Sequence, residues 1–211
     1  MVVDEEDVPY GEDFHDEAVA AAWADAAAKK RPFRAQIFER FAQAINDSAG
    51  GEPRVLELGA GPGFLAERVL DECPRVARYT LLDFSQAMLE QSRARLARHL
   101  PKAEFVRADF KSDGWFTRTT PPFDFVLSQQ AVHELRHKRH APRLYAQVRE
   151  LLLPGGRLLV CDHLPEGAHT PRHRVLYMSV AEHVAALEQC GFSDVQCPWS
   201  EHNMALFSAT A

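Results

Sequence analysis

A glycine-rich turn and two aspartates are the residues whose types and spacing best suit ligand binding. The turn reads Gly59-Ala60-Gly61-Pro62-Gly63 and follows a predicted strand, Arg54–Leu58. Glycines at alternate positions let the backbone turn tightly and approach a ligand without obstruction by Cβ atoms. Asp83 ends the next predicted strand and Asp109 lies two residues after the one that follows, where a carboxylate can accept charge-assisted hydrogen bonds from a ligand. The sequence therefore predicts a ligand site at this turn.

The spacing of these glycines excludes two common nucleotide-binding loops. A dinucleotide fingerprint starting at Gly59 would require a third glycine at the position of Phe64. A Walker loop would require Gly-Lys-Ser/Thr, whereas this chain has Gly63-Phe64-Leu65. We therefore expect neither a Rossmann dehydrogenase nor a nucleoside triphosphatase.

A second segment, His133-Glu134-Leu135-Arg136-His137, matches the H-E-x-x-H pattern of zinc proteases. In those enzymes two histidines one helical turn apart bind zinc, and the glutamate activates water. The pattern requires a long helix and a third ligand, but here it follows the predicted strand Phe123–Ser128 directly. The extended form of the motif would need Gly and His where the chain has His140 and Arg143. We therefore expect no metal site, and a zinc hydrolase remains an alternative.

The elements that must position these residues alternate between short apolar runs and helical stretches. Seven strands are predicted, at Arg54–Leu58, Tyr79–Asp83, Glu104–Arg107, Phe123–Ser128, Gly156–Asp162, Asp194–Cys197 and Ala205–Ala209. Helices are predicted between them, at Phe64–Glu72, Gln86–Arg98, Ala141–Leu152 and Val180–Cys190. Strands separated by helices of this length imply right-handed crossovers and a parallel sheet covered on both faces. The fold class is therefore α/β, a doubly wound and mostly parallel seven-stranded sheet, with an antiparallel hairpin-like ending at one edge.

The first fifty residues have a different character. Apolar residues at helical spacing predict two helices between Phe14 and Ile45, separated at Pro32, and the turn cluster 47–53 follows them. We predict that residues 1–50 form an acidic tail and helical cap and that residues 51–211 form the ligand-binding domain. Tyr10, Trp23 and Phe33 are the aromatic side chains that this cap can bring to a pocket.

Four landmarks together give this chain a resemblance to a known family. They are Glu57-Leu58-Gly59-x-Gly61-x-Gly63, Leu81-Leu82-Asp83-Phe84-Ser85 with Met88-Leu89, Arg107-Ala108-Asp109-Phe110, and Leu152-Leu153-Pro154-Gly155-Gly156-Arg157-Leu158. In this order they resemble the class I S-adenosylmethionine-dependent methyltransferases, from about Arg54 to the C-terminus. The resemblance implies a Rossmann-like methyltransferase fold, S-adenosylmethionine as cofactor and methyl transfer as the reaction.

The resemblance also implies roles for individual residues. Asp83 would accept both ribose hydroxyls, and Asp109 would accept from the adenine amino group while the backbone at Phe110 reads the ring edge. Phe84 and Met88 would offer apolar faces to the adenine. The methionine end of the cofactor would be held by Glu57, by the turn Gly59, Ala60, Gly61 and Gly63, and by the backbone of Gln129.

The same family reading gives the histidines a different role from zinc binding. The segment around His133 resembles the stretch after the fourth strand in many small-molecule methyltransferases, which places His133 toward the methyl donor. His133 is then either a general base or a packing residue, and His163 is a second candidate. Amine methyltransferases carry D/N-P-P-Y/F where this chain has Ser128-Gln129-Gln130-Ala131, so we do not expect amine methylation by their mechanism.

Composition sets the broad class. The chain has 211 residues, 46% of them hydrophobic, as in an ordinary globular protein. Residues 1–17 hold eight Asp and Glu and no Lys or Arg, so they account for all of the formal net charge of −6. The rest of the chain is close to neutral, which argues against a nucleic-acid partner. No apolar run is long enough to span a bilayer, and we expect a cytoplasmic protein with four reduced cysteines.

These observations leave several functions open. The first is methyl transfer to a small-molecule acceptor, and the second is methyl transfer to a protein or RNA. A protein that binds the cofactor without chemistry is a third, and the zinc hydrolase is a fourth. The acceptor and the oligomeric state do not follow from the sequence.

Overall fold

The computed structural model describes residues 6–9, 11, 13–30, 33–48, 50–168 and 170–211. Within them the strands are β1 Arg54–Leu58, β2 Arg78–Asp83, β3 Ala103–Arg107, β4 Phe123–Gln129, β5 Leu152–His163, β6 Ser193–Glu201 and β7 Met204–Thr210. The α-helices are α1 Glu17–Lys30, α2 Arg34–Asn46, α3 Phe64–Glu72, α4 Gln86–Arg95, α5 Ala141–Leu151 and α6 Val180–Gln189. Pro32, predicted to separate the first two helices, lies outside the described residues, as does Tyr10.

The strands form one sheet in the order β3-β2-β1-β4-β5-β7-β6. The first five strands are parallel, and β7 runs antiparallel between β5 and the edge strand β6. The order in which successive strands are added to the sheet reverses between β1 and β4, which is where open α/β sheets bind ligands. The doubly wound sheet and its antiparallel last strand are confirmed.

Alternation along the strands divides the core into two layers. On β5, Leu158 and Val160 face the layer that contains α5 and α6, whereas Leu159 and Cys161 face the layer that contains α2, α3 and α4. Side chains on successive residues of a strand point to opposite faces, so a central strand with helices on both sides is apolar throughout. Burial on both faces explains why the sequences of the central strands are continuous apolar runs.

Helix α2 packs into the same core as the sheet. Ile37, Phe41 and Ile45 lie on one face of the helix and are at most 1% exposed. They pack with residues of α3 such as Leu65 and Val69. Each fully buried side chain of this kind stabilises the fold by about 1.5–3 kcal/mol.

The division of the chain at residue 50 remains a prediction about its domain organisation.

Two strands, β5 and β6, extend four residues beyond a predicted end, and both of these extensions contain proline. β5 begins at Leu152 rather than Gly156, because the segment Pro154-Gly155 is accommodated by a register shift against β4. β6 extends to Glu201 through Pro198, which an edge strand tolerates because one side of its backbone pairs with no other strand. Helix α4 is instead shorter than predicted, because it ends at Arg95, three residues before its predicted end.

Candidate functional site

The glycine-rich turn connects β1 to α3 at the carboxyl edge of the sheet. Gly59 has φ +66° and lies so close to Ala131 that a Cβ atom on it would be 2.4 Å from the Ala131 Cβ. Gly61 has φ +54°, and a Cβ atom on it would meet nothing within 4 Å. One glycine therefore allows two loops to pack together, and the other leaves space open beside the backbone.

Asp83 ties this turn to the end of β2. Its Oδ2 accepts the backbone N–H of Gly61 at 2.8 Å, and its Oδ1 accepts that of Ser85 at 2.9 Å. Burial raises the pKa of Asp83 to about 6, although the hydrogen bonds from Ser85 and Gly61 act in the opposite direction. The carboxylate retains lone pairs for further donors, because each carboxylate oxygen can accept two hydrogen bonds.

A cleft of about 810 Å³, including its open mouth, extends from this turn. Nine of the residues proposed from the sequence line it: Gly59, Gly61, Asp83, Phe84, Met88, Asp109, Phe110, His133 and His163. The lining contains both apolar and charged side chains, which suits a ligand with an aromatic part and several polar groups. These nine residues lie at or shortly after the carboxyl ends of five different strands and meet only in the folded chain.

Four proposed residues lie outside the cleft lining. Gly63 is the N-cap of α3, and Ala60 is 6% exposed within the core. The Glu57 carboxylate faces the interior and accepts a hydrogen bond from the Tyr79 hydroxyl at 2.7 Å. Burial raises the pKa of Glu57 to about 8. The fourth is Gln129, the last residue of β4, whose side-chain amide donates to the side chain of the next residue at 2.9 Å.

The N-terminal part of the chain covers one side of the cleft. Phe14 and Trp23 line it, with their rings edge to face at 5.9 Å. Both pack with Met88 and Ala20, which joins α1 to α4. Of the aromatic residues predicted for the cap, Trp23 reaches the cleft, whereas Phe33 stacks on His202 at the β6–β7 turn. Phe14 was not predicted, because one aromatic residue in an acidic tail carries no periodic signal.

His133 lies in the loop after β4, next to the end of β5. Its Nδ1 is 2.7 Å from Asp162 Oδ1, and its Nε2 is 3.3 Å from Glu134 Oε1. Burial lowers the pKa of His133, but the two carboxylates outweigh this effect and raise the pKa to about 10. The pKa of Asp162 is lowered, because the His133 charge outweighs the effect of burial. The two carboxylates thus orient the His133 ring and favour its protonated form.

His163, the second candidate base, ends β5 beside His133. The two rings lie 5.4 Å apart, and each also contacts the Tyr177 ring. His163 Nε2 is 2.8 Å from the side-chain amide nitrogen of Gln130. Gln130 and Asp162 were not proposed from the sequence, and Glu134 was considered there only as part of the H-E-x-x-H pattern. The rule that ligands lie beyond strand ends would have indicated Gln130 and Asp162.

The H-E-x-x-H segment does not form the helix that a zinc protease requires. Val132–Leu135 make a single 3-10 turn, and Arg136 then adopts left-handed backbone with φ +66°. His137 is extended, so it does not follow His133 on one helical face. Among the residues that the structure describes, no group of three or more His, Cys, Asp or Glu side chains is arranged to hold a metal ion.

The basic run 136–140 contacts the N-terminal segment. Arg136 donates to the carbonyls of Val8 and Pro9 at 2.8 and 2.7 Å, and Arg139 donates to Asp7 at 2.8 Å. This part of the N-terminal segment therefore packs on the densest basic run in the chain and adds one carboxylate, Asp7, to it. In the described part of the chain, no helix is long and apolar enough to cross a membrane.

Comparison with known proteins gives consistent matches. Residues 55–156 match a family model described as a methyltransferase domain. Trans-aconitate 2-methyltransferase of Paracidovorax citrulli is 34% identical over 123 residues, which are 58% of this chain and 42% of the relative. Malonyl-[acyl-carrier protein] O-methyltransferase of Paenibacillus sp. is 24% identical over 80% of this chain and 65% of its own length. The chain thus spans less than two thirds of each of these curated relatives.

Solved structures share the fold. A SAM-dependent methyltransferase from Aquifex aeolicus superposes with a TM-score of 0.69 at 16% identity, covering 92% of this chain and 98% of its own. Human N-acetylserotonin methyltransferase, solved in complex with SAM, has a TM-score of 0.69 at 18% identity and covers 96% of this chain and 60% of its own. At these identities the comparison establishes the arrangement of strands and helices.

Proposed function

Because the chain belongs to the class I S-adenosylmethionine-dependent methyltransferase family, we propose that it transfers the methyl group of S-adenosylmethionine to a small-molecule acceptor. The observation that carries this proposal is the shared cleft. The glycine turn, Asp83 and the pair His133 and His163 all line it. A cofactor site and a second polar site thus adjoin, as a transfer reaction requires.

The residues of the cleft fit this cofactor. Asp83 has lone pairs available for the ribose hydroxyls, and Phe84 and Met88 offer apolar surface for the adenine. The open space beside Gly61 leaves room for the backbone to approach the ligand. When bound, S-adenosylmethionine supplies an electrophilic methyl group on a sulfonium. The protein's part is then to align the acceptor and exclude water.

A small acceptor is favoured over a macromolecule by the arrangement of the N-terminal segment. Phe14 and Trp23 narrow the cleft, and the basic run 136–140 pairs with residues 7–9 instead of forming a surface for RNA. The name of one relative specifies trans-aconitate, and that of another specifies malonyl-acyl-carrier protein. A protein or RNA acceptor and a non-catalytic binding protein remain the alternatives.

Calorimetric titration with S-adenosylmethionine and S-adenosylhomocysteine tests the cofactor, and we expect micromolar dissociation constants. Release of S-adenosylhomocysteine in the presence of candidate acceptors tests the reaction. Absence of binding would contradict the whole proposal, whereas binding without turnover on any acceptor would favour the non-catalytic alternative.

A further inference from the structure

Arg95, the last residue of α4, contacts the junction between the glycine-rich turn and α3. Its Nε donates a hydrogen bond to the Pro62 carbonyl at 2.8 Å. Its guanidinium carbon lies 4.0 Å from the centre of the Phe64 ring, and its Nη1 lies 3.3 Å from Glu67 Oε2. One side chain of α4 therefore holds three groups within residues 62–67.

The packing of α4 against Gly63 brings Arg95 to this junction. Gly63 has φ +79°, and a Cβ atom on it would lie 2.9 Å from the Ser92 Cβ, so glycine allows the turn and the helix to approach closely. Ser92 is fully buried in this contact. Arg95 follows Ser92 by three residues, which places both side chains on the same face of the helix. The close approach at Gly63 thus directs Arg95 toward Pro62.

The first half of the turn is attached to a different element, β2. The backbone N–H groups of Gly59 and Ala60 donate to the Leu82 carbonyl at 2.8 and 3.1 Å. Arg95 attaches the second half of the turn, at Pro62, to α4. The turn is therefore held at both of its ends, by backbone bonds at one and by a side chain at the other.

The second attachment matters because Pro62 directly follows Gly61, whose backbone borders the open space of the cleft. Proline has no N–H group, so the backbone at this position can be held only through its carbonyl. Rotation of the peptide at Pro62 would move the Gly61 backbone with it. A loop that must be ordered when a ligand binds weakens the affinity, and a loop that is already ordered does not.

We propose that Arg95 is a positioning residue for the cofactor. Its side chain is not among the described residues that line the cleft, so it acts through the turn and not by contact with the ligand. By holding the Pro62 carbonyl, Arg95 keeps the turn in its binding conformation before the ligand arrives. The ligand is the S-adenosylmethionine of the proposed function, on which this inference rests.

Arg93, on the same helix, shares the other features of Arg95. Its guanidinium carbon lies 4.3 Å from the centre of the Phe105 ring, as that of Arg95 lies over Phe64. Both arginines are in the last turn of α4, where a cation interacts favourably with the helix dipole. Among the described contacts, Arg95 bonds to the turn and Arg93 does not. Arg93 is therefore the matched control for charge, ring packing and helix position.

Two substitutions at position 95 separate the hydrogen bond from the charge. In Arg95→Gln the amide nitrogen is as many bonds from Cα as the arginine Nε, so it can donate to Pro62 without a charge. In Arg95→Met a methyl group takes that place and donates nothing. Calorimetric titration of the full chain with S-adenosylhomocysteine should show affinity about 10-fold weaker in Arg95→Met, and within about 3-fold of the wild type in Arg95→Gln and in Arg93→Met.

Urea unfolding of each variant shows that it is folded at the temperature of the titration. Wild-type affinity in Arg95→Met would overturn the inference, and so would an equal loss in Arg93→Met. An equal loss in Arg95→Gln and Arg95→Met would also overturn it, because the charge or the ring packing would then be the cause. Each of these results leaves the proposed function intact, whereas absence of binding by the wild type would contradict the proposed function itself.

Hydrogen exchange in the wild type tests the bond independently of binding. In ¹H–¹⁵N NMR the Arg95 Nε–H should exchange with water about 10-fold or more slowly than the Arg93 Nε–H, because it is bonded to the Pro62 carbonyl. Arg95→Gln and Arg93→Met assign the two signals. Equal exchange rates would overturn the inference, even if Arg95→Met failed to fold.

Discussion

At the scale of single residues, Asp83 and Gly61 act as one unit. The Asp83 carboxylate fixes the turn by accepting the Gly61 N–H at 2.8 Å, and Gly61 in turn leaves space beside it. The site therefore depends on a side chain at the end of β2 and on the absence of a side chain after β1. Substitution of Asp83 and substitution of Gly61 therefore test these two requirements separately.

Asp83→Ala should weaken binding of S-adenosylhomocysteine by about 2–4 kcal/mol, which is about 30- to 1000-fold, because charge-assisted hydrogen bonds to the ribose are lost. Calorimetric titration measures the change, and Asp47→Ala on an exposed helix end is the control. Binding by the wild type should also weaken as the pH falls through about 6, because protonation of Asp83 removes acceptor capacity. Unchanged affinity in Asp83→Ala would contradict the ribose assignment.

Gly61→Val should abolish cofactor binding, with affinity reduced by about 100-fold or more, since the new side chain enters the open space of the cleft. Gly155→Val is a matched control, because Gly155 has φ +80° and also meets nothing within 4 Å, but it lies at the other end of the sheet. Both variants carry backbone strain of about 1–2 kcal/mol. An equal loss of binding in the two variants would show that strain and not obstruction is the cause.

At the scale of elements, α1 and the segment before it form one wall of the cleft. Val8 N–H donates to the carbonyl of Arg136 at 2.9 Å, and Arg136 returns hydrogen bonds to Val8 and Pro9. These contacts join the N-terminal segment to the loop that carries His133. A ligand in the cleft would therefore lie between the sheet edge and a wall fastened by a few surface contacts.

Trp23→Ala should increase the dissociation rate of S-adenosylhomocysteine by about 3- to 10-fold, because loss of one aromatic packing partner costs about 0.5–1.5 kcal/mol. Stopped-flow fluorescence or surface plasmon resonance would measure the rate. Asp25→Ala, an exposed position on the same helix, controls for general effects on α1. If both variants release the ligand at the wild-type rate, α1 does not act as a wall of the bound site.

At the scale of the whole molecule, the His133–Asp162 pair joins the loop after β4 to the end of β5. The pKa of His133 is raised from 6.5 to about 10, so its stabilising effect is complete below pH 6.5 and is lost as the pH rises through 10. The pKa of Asp162 is lowered, so its effect is present above 3.8 and is lost only in stronger acid. The pair therefore stabilises the fold across the neutral range.

His133→Gln should lower the free energy of unfolding by about 3–5 kcal/mol near neutral pH, because it leaves a buried carboxylate without its cation. The deficit should shrink above a pH of about 10, where wild-type His133 has lost its charge. Urea unfolding at both pH values measures this difference. His99→Gln is the control, because His99 and Asp71 lie 2.7 Å apart like the buried pair but at the surface, where such pairs contribute at most about 1 kcal/mol.

The sequence by itself determined the order of elements and the residues at the strand ends. Because parallel strands place their carboxyl ends at one edge, the positions of Gly59, Asp83 and Asp109 along the chain were sufficient to predict that they line a common cleft. Doubly buried strands give continuous apolar runs, so the sheet was also predictable. The ends of β5 and β6 were not, since Pro154 and Pro198 break the local signal and only pairing with a neighbouring strand accommodates them.

Only the tertiary structure decided which groups surround the histidines and which way Glu57 points. His133 contacts Asp162, 29 residues away, and His163 contacts Gln130, whose side chain also accepts a hydrogen bond from Arg34 on α2. Glu57 pairs with Tyr79 on the neighbouring strand instead of facing the cleft. The physical reason is that charge and hydrogen-bond direction depend on which groups surround an atom at about 3 Å, and those groups come from distant parts of the chain.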